Sequence, residues 1–451
     1  MSGTQHYSPP REQLVGVLRT KTMPAIAKQA GLAFGVLGML LFAFGAATGE
    51  SRAWRAFLVN WLFFTTIASA AVMFVAVQRI TTARWSRGVI RFLEGFVAFL
   101  PFAAIGLLVI IFGGKSHLYP WWDLVGTGEL IPEKEVWFNH GFFYVRSLLV
   151  FGALLVLQVW YVYTCVRLDV GVTPEFGASW AAGLRARMRA GFGEERRELH
   201  TTHSLQGKLA VIMALVFGFG WCVLAWDHSM SLDFHFFSTM YGWQVFMGGW
   251  LVSLMSFAIL LRWWKTQFPE LPELITDKHY HDVGKLGFAF TAFWGYLTFS
   301  QFLIIWYGNL AEETHWFTLR LTGAWTTTTM LAAVLTFLLP FFGLLSVKAK
   351  TYGPTMIFFA TSSFVGLWFA RYTEVYPSLY GTGVEHAPLG LWEAGIFLGF
   401  LGLFAWSYSH FMDAFPKARV LLLTSPYRDE VQIPVDARTM EPLPRTSSAT
   451  D

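Results

Sequence analysis

Ionisable and amide side chains inside long apolar runs are the residues of this sequence that invite a chemical reading. Glu94 follows Arg91 by three positions, so on a helix the two share a face and can pair. The carboxylate is then either half of an ion pair near a membrane edge or a proton acceptor. Arg146 lies about nine residues into another apolar run, roughly 13 Å from its end at 1.5 Å per residue. A guanidinium that deep does not reach water easily and must turn inward, to an acid, to carbonyls or to a bound ligand. His140 opens the same run. Asp227 and His228 adjoin in WDHSMSLDFHFFSTMYGW, Trp226–Trp243. As a carboxylate and an imidazole they can relay a proton; as loop residues and helix caps they need no chemistry. Gln301 interrupts TFSQFLIIWYGNLAEET, Thr298–Thr314, where an amide can hold a water but does not titrate. Lys285 enters that run from its other end in HYHDVGKL, with Asp282 as a helix cap beside it.

These residues need elements to hold them, and the composition says which kind. Of 451 residues 55% are hydrophobic and 14% charged, with 44 Phe and 21 Trp, and mean hydropathy is +0.46. Soluble domains carry roughly 25% charged residues. The chain reads as an all-α integral membrane protein, because its apolar runs are long enough for helices rather than barrel strands. Ten spans are expected, at 25–47, 54–78, 88–113, 137–163, 205–227, 237–261, 285–308, 319–346, 352–371 and 390–412. The apolar start at Gly31–Phe44 reads as a retained first span, since its charged leader is too long for a signal peptide.

The loops alternate in charge. Arg19, Arg79, Arg84, Arg185, Arg189, Arg262, Lys348 and Lys417 fall on one side, and Glu50, Asp123, Glu133, Asp233, Glu312, Glu374 and Glu385 on the other. An excess of Lys and Arg marks the cytoplasmic side, so both termini are expected there. The stretch 174–200 is expected to form a cytoplasmic helix lying at the lipid interface. The tail 415–451, rich in Pro, Ser and Thr, is expected to be extended. Cys165 and Cys222 are isolated, no CxxCH motif occurs, and His140, His203 and His228 fall at span ends on different sides. No haem, iron–sulfur cluster or metal ion is therefore expected on this chain.

The sequence also contains a weak internal repeat. LVIIFGG (Leu108–Gly114) resembles LIIWYGN (Leu303–Asn309), EVWFNHGFFYVR (Glu135–Arg146) resembles ETHWFTLR (Glu313–Arg320), and MFVAVQR (Met73–Arg79) resembles SFAILLR (Ser256–Arg262). Spans two to five (54–236 with their loops) and six to nine (237–389) read as two copies of a four-helix bundle. Four spans per copy give both the same orientation, a parallel repeat. Spans one (25–53) and ten (390–414) flank them. Gln301 aligns with Gly106, so the amide belongs to one copy alone.

MSLDFHFFSTMYGW (Met230–Trp243), HDVGKLGFAFTAFWGYLTFSQFLIIWYGNLAEET (His281–Thr314) and the duplicated bundle resemble the NrfD-like family of polysulfide-reductase membrane proteins. The closer resemblance is to the ActF-type members of that family, which belong to bacterial alternative complex III, a quinol:cytochrome c (or other acceptor) oxidoreductase; it is stronger over residues 200–413 than over the first bundle. The resemblance implies a place in the bacterial inner membrane beside a homologous NrfD-like subunit, an iron–sulfur protein, multihaem and monohaem cytochrome c subunits, small membrane subunits and, in some assemblies, a terminal oxidase. Haem c and iron–sulfur clusters would sit in those partners, and menaquinol or ubiquinol would be the reductant. It implies a structural and proton-conducting role, and the polar residues read above, Glu94, Lys285, Gln301, Asp227 and His228, are the candidates for such a path. Related quinone sites have an Asn and a His one turn apart at the outer end of the first bundle. Here Asn60 is followed by Phe64, which speaks against quinol oxidation by this chain. His140, Arg146, Asp227 and His228 remain as quinone contacts in the alternative reading, and a stand-alone secondary transporter is the third.

Overall fold

The computed structural model describes residues 9–130, 132–173 and 175–431, which fold as helices and loops with no β-strand among them. Among the described residues, ten helices are long and apolar enough to cross a membrane: Ala25–Ala47, Ser51–Ile80, Arg91–Gly113, His140–Val172, Glu195–Leu232, Thr239–Gln267, Asp277–Gly308, Gly323–Gly343, Gly353–Tyr380 and Leu391–Ala414. The chain is thus a multi-pass, all-α membrane protein, and these are spans one to ten below. The side that gathers Arg and Lys is called the basic end and the other the acidic end.

Span ends depart from expectation where polar residues continue a helix. Span nine runs past 371 to Tyr380, because Arg371 and Glu374 pair inside the bundle and do not end the helix. Span seven starts at Asp277, where the Thr276 backbone N–H donates to His279 Nδ1 at 3.0 Å in a capping box. Span five starts at Glu195, so the helix expected over 174–200 shrinks to Ala182–Arg189. Gly191, at φ +70°, turns the chain between the two, a conformation that glycine adopts without strain.

The tail expectation is corrected more substantially. Val420–Thr424 is a short helix, Arg428–Val431 is another, and Ala418, Val420 and Leu421 are fully buried. The apolar run VLLL supplies enough burial to hold the segment onto the basic end of the first bundle, although the composition of the whole tail is polar. Residues 432–451 lie outside the described residues.

Spans two to five pack as one group of four and spans six to nine as another, with span two against spans six and nine between them. The apolar window of span two is wholly buried, unlike that of any other span. Spans one and ten lie along each other on glycines: a Cβ placed on Gly38 would meet the Gly399 Cα at 2.3 Å. Small residues of this kind let two helix backbones approach in lipid, where packing replaces hydrophobic driving force. Span three tightens into a 3₁₀ turn at Gly95–Phe99 before Pro101 and widens into a π turn at Val109–Gly113. Span eight has its own π turn at Val334–Leu338 before Pro340, an interruption the sequence reading did not anticipate.

One local device recurs in both groups. The Arg146 guanidinium lies 3.8 Å from the Trp137 ring centroid and that of Arg320 lies 3.5 Å from Trp316. Each then reaches the last span of its own group, at Asp227 in span five and at the Thr373 and Glu374 carbonyls in span nine.

Candidate functional site

At the basic end, four charges meet inside the protein. Glu94 and Arg91 are fully buried and in ion contact at 2.5 Å between Oε2 and Nη1, the pairing that their spacing suggests. The same Arg91 also pairs with Asp169 at the end of span four. Arg419, from the tail, donates from Nε to Glu94 Oε1 at 2.7 Å, and the Leu421 backbone N–H donates to Asp169 Oδ1 at 2.9 Å. Two guanidinium and two carboxylate groups thus cancel, as buried charges must. Sequence reading identified Glu94 but missed Asp169 and Arg419. Asp169 looks like an ordinary charge at a helix end, and Arg419 is 325 residues from its partner.

A cavity of about 40 Å³ reaches this cluster, lined by Arg79, Ser86, Cys165, Asp169, His203 and Arg419 among others. A single water needs on the order of 10–15 Å³. Cys165 closes one wall: Arg419 Nη2 and Gln206 Nε2 each donate to its Sγ at 3.3 Å.

Span four connects this end to the other. Arg146, Ser147, Gln158, Tyr161, Cys165 and Asp169 are all buried on it. From Ser147 onward they recur at steps of eleven, three, four and four, which keeps them on one helix face. From Arg146 to Asp169 the helix rises about 35 Å, the full thickness of a hydrocarbon core. Midway, Gln158 Nε2 donates to Ser69 Oγ at 2.8 Å and the Trp221 indole N–H donates to the same oxygen at 2.8 Å. The Thr65, Ser147 and Tyr161 hydroxyls and Gln158 Oε1 have no protein partner. Buried polar atoms are as a rule satisfied by protein or by ordered water, so a column of this kind is one that water completes.

At the acidic end, Arg146 holds Asp227 with two hydrogen bonds, Nε to Oδ2 at 2.8 Å and Nη2 to Oδ1 at 2.6 Å, and both residues are buried. Asp227 and His228 do not pair with each other. His228 Nδ1 is 2.7 Å from the Tyr119 hydroxyl, and burial, with Asp227 nearby, pushes the Tyr119 phenol well above its ordinary range. The hydroxyl is protonated there, and His228 Nε2 has no partner in the protein. Of the two readings of Asp227 and His228, a relay between them gives way to two separate contacts, because the adjacent side chains leave span five in different directions. His140 sits apart from them: its Nε2 is 2.9 Å from the Trp122 carbonyl oxygen and its ring stacks on Trp122 at 3.8 Å. Trp61, Tyr119, Trp121 and Phe143 fill the space behind, each at most 1% exposed. These residues do not fit a quinone head group: its volume is taken by aromatic rings, and Arg146 is committed to Asp227. Asn60 is committed too, donating to the Ala56 carbonyl and accepting from the Trp368 indole at 3.0 Å.

The two remaining candidates lie in the second group of spans. Lys285 is exposed from the protein and pairs with Asp282 at 2.7 Å, one turn before it, so it joins no buried network. Gln301 is buried and its Nε2 has no partner. Toward the acidic end of that group, Arg371 pairs with Glu374 at 2.5 Å, and Arg320 is satisfied by the Trp316, Thr373 and Glu374 carbonyls and the Ser378 hydroxyl. Sequence reading did not single out any of these three charges as a site. Between the groups and span ten, Arg52 grips Glu393 through two bonds of 2.7 Å, and the Tyr376 hydroxyl donates to the same carboxylate at 2.6 Å.

Compared with known proteins, the chain matches no protein-family model and no curated protein sequence.

Proposed function

We propose that this chain is a membrane component of a quinol:electron-acceptor respiratory complex, without a redox centre of its own, and that it conducts protons through its first bundle. The observation that supports conduction is span four, which carries a paired carboxylate cluster at one end, an Arg–carboxylate pair near the other and a half-satisfied polar stripe between them. The setting rests on the resemblance to the NrfD-like family and to its ActF-type members in alternative complex III. In that setting the basic end faces the cytoplasm of a bacterium, and the cavity beside Glu94 and Asp169 is the proton entry. Ser69, Gln158 and Tyr161 would hold the water that carries protons onward, and His228 with Tyr119 would form the exit. Gln301 and Lys285 take no part in this path. The partners are the homologous membrane protein, the iron–sulfur protein and the cytochromes c.

Quinol binding at His140 and Arg146 is disfavoured by the aromatic packing there. Transport by rocking of one bundle against the other is disfavoured by span two, which is buried between them. The test is Glu94→Gln in the complete complex reconstituted into liposomes and driven by a soluble quinol. Proton translocation per electron should fall while quinol oxidation continues; an unchanged ratio overturns the proposal.

A further inference from the structure

We propose that the tail segment 415–424 is a gate over the buried carboxylates, with Arg419 as its positioning residue. The inference rests on the proton-conducting reading for its purpose but on the tail's own contacts for its geometry. Span ten ends at Ala414, and its last turn is fastened. Asp413 accepts from the Met23 backbone N–H at 2.8 Å and from Lys28 Nζ at 2.6 Å, the Ala178 N–H donates to the Asp413 carbonyl, and Arg185 donates to the Ala414 carbonyl. Beyond this anchor the chain crosses the mouth of the first bundle and inserts two donors. The Arg419 guanidinium takes Glu94, and the Leu421 N–H takes Asp169. Arg419 and Leu421 also wall the cavity that leads to both carboxylates.

The segment is held differently on its two sides. Inward it has a buried, charge-assisted contact, which is the strong kind. Outward it has a half-exposed contact, Arg11 Nε to Thr424 Oγ1 at 2.9 Å, and just beyond it Glu430 meets Arg196 and His200 at 2.8 and 2.9 Å, contacts that solvent and salt weaken. Arg419 is therefore the charged contact of closure, acting beside the buried side chains of Val420, Leu421 and Leu423. While the segment is seated, every oxygen of Glu94 and Asp169 faces a guanidinium or an N–H of the protein. When it lifts, Glu94 and Asp169 keep only Arg91, and the cavity becomes continuous with solvent on that side.

Cys165 reports the state of the gate, because its Sγ lies under Arg419 in the cavity wall and Cys222 is the only other cysteine. In the complete complex carrying Cys222→Ser, a charged, membrane-impermeant methanethiosulfonate is added from the basic side and Cys165 modification is followed by mass spectrometry. Arg419→Ala should speed modification at least tenfold over the parent, and Arg419→Lys should leave it within about threefold. Leu421→Pro removes the N–H to Asp169 together with a buried leucine side chain, in the first turn of a helix where proline is tolerated, and it should speed modification as well. Equal rates in Arg419→Ala, Leu421→Pro and the parent, all assembled, overturn the gate. Passive proton leak in the same liposomes separates the two readings. Faster labelling with faster leak supports both, and faster labelling with unchanged leak keeps the gate but removes the proton path behind it. Unchanged labelling, with Glu94→Gln still uncoupling, removes the gate and keeps the path.

Discussion

The Arg146–Asp227 pair separates a structural fastening from a working part, and its energetics can be worked out from the geometry. Two hydrogen bonds of 2.8 and 2.6 Å join residues that are 8% and 1% exposed. Two charges about 4 Å apart attract by about 4 kcal/mol at an effective dielectric near 20. Removing one partner from such a pair costs about 3–5 kcal/mol, because the other charge stays buried and alone. The two single substitutions should not be equal. Asp227→Leu leaves a guanidinium that cannot lose its proton, and it should cost the full 3–5 kcal/mol. Arg146→Met leaves a carboxyl group that can take up a proton, and it should cost less. The double variant Arg146→Met/Asp227→Leu leaves no charge and should return to within about 1 kcal/mol of the parent. Unfolding of the detergent-solubilised protein by sodium dodecyl sulfate, followed by tryptophan fluorescence, measures all three. Proton translocation in the reconstituted complex is measured in parallel and should stay low in the double variant although stability has returned. A double variant as unstable as Asp227→Leu, or an Asp227→Leu loss under 1 kcal/mol, refutes the electrostatic reasoning. Full translocation in the double variant makes the pair a fastening only.

Three further outcomes are expected. Gly38→Leu should lower stability by about 1–3 kcal/mol in the same titration, because its Cβ would stand 2.3 Å from the Gly399 backbone, whereas Gly16→Ala, with nothing within 4 Å inside a helix, should raise it by about 0.5–1 kcal/mol. Burial pushes the Lys417 amine down to about 8, against the pull of Asp413 and with the help of Lys28. Between about 8 and the ordinary 10.5 the unfolded chain holds a proton there that the folded chain lacks, so stability should rise with pH across that window. Below about 8 the full cost, about 3 kcal/mol, is present, and Lys417→Met should remove the slope from a pH series of unfolding curves. Gln301→Leu should stabilise the protein by about 1 kcal/mol, since a buried amide nitrogen without a partner is costly, and a clear loss of stability would show that the amide has a partner after all.

The spans were legible because a membrane requires about twenty apolar residues in a row, and few soluble patterns imitate that. The Arg91–Glu94 pair was legible because both members lie on one turn of one helix. Its completion was not: Asp169 stands 75 residues beyond Glu94 and Arg419 another 250 beyond Asp169, and nothing local links a helix-end aspartate to an arginine in a polar tail. The only signal was the run Val420–Leu423, four apolar residues in a tail otherwise unsuited to burial. At the acidic end, Arg146 was expected to turn inward and does, whereas the neighbours Asp227 and His228 took different partners. Adjacency in sequence fixes distance along the backbone but not the direction of two side chains. Lys285 misled for a related reason, since an aspartate one turn earlier already balances it at the surface.

Span two, enclosed on every side, has a consequence for how the protein is made. It leaves the ribosome early, and its later neighbours, spans six, nine and ten, are synthesised about 190 residues or more after it. Until they arrive its flanks stand against lipid. Its composition suits that wait: from Ala56 to Val77 it is apolar around its whole circumference, and the polar residues there are small hydroxyls and one asparagine that can bond to their own helix, as Asn60 does to Ala56 and Thr66 does to Leu62. A charged residue in the middle of span two would be tolerable once the later helices surrounded it, yet it would have to survive the lipid first; its arginines stand at its ends. The helix at the centre of the finished protein is therefore selected by the conditions of its assembly as much as by those of its final place.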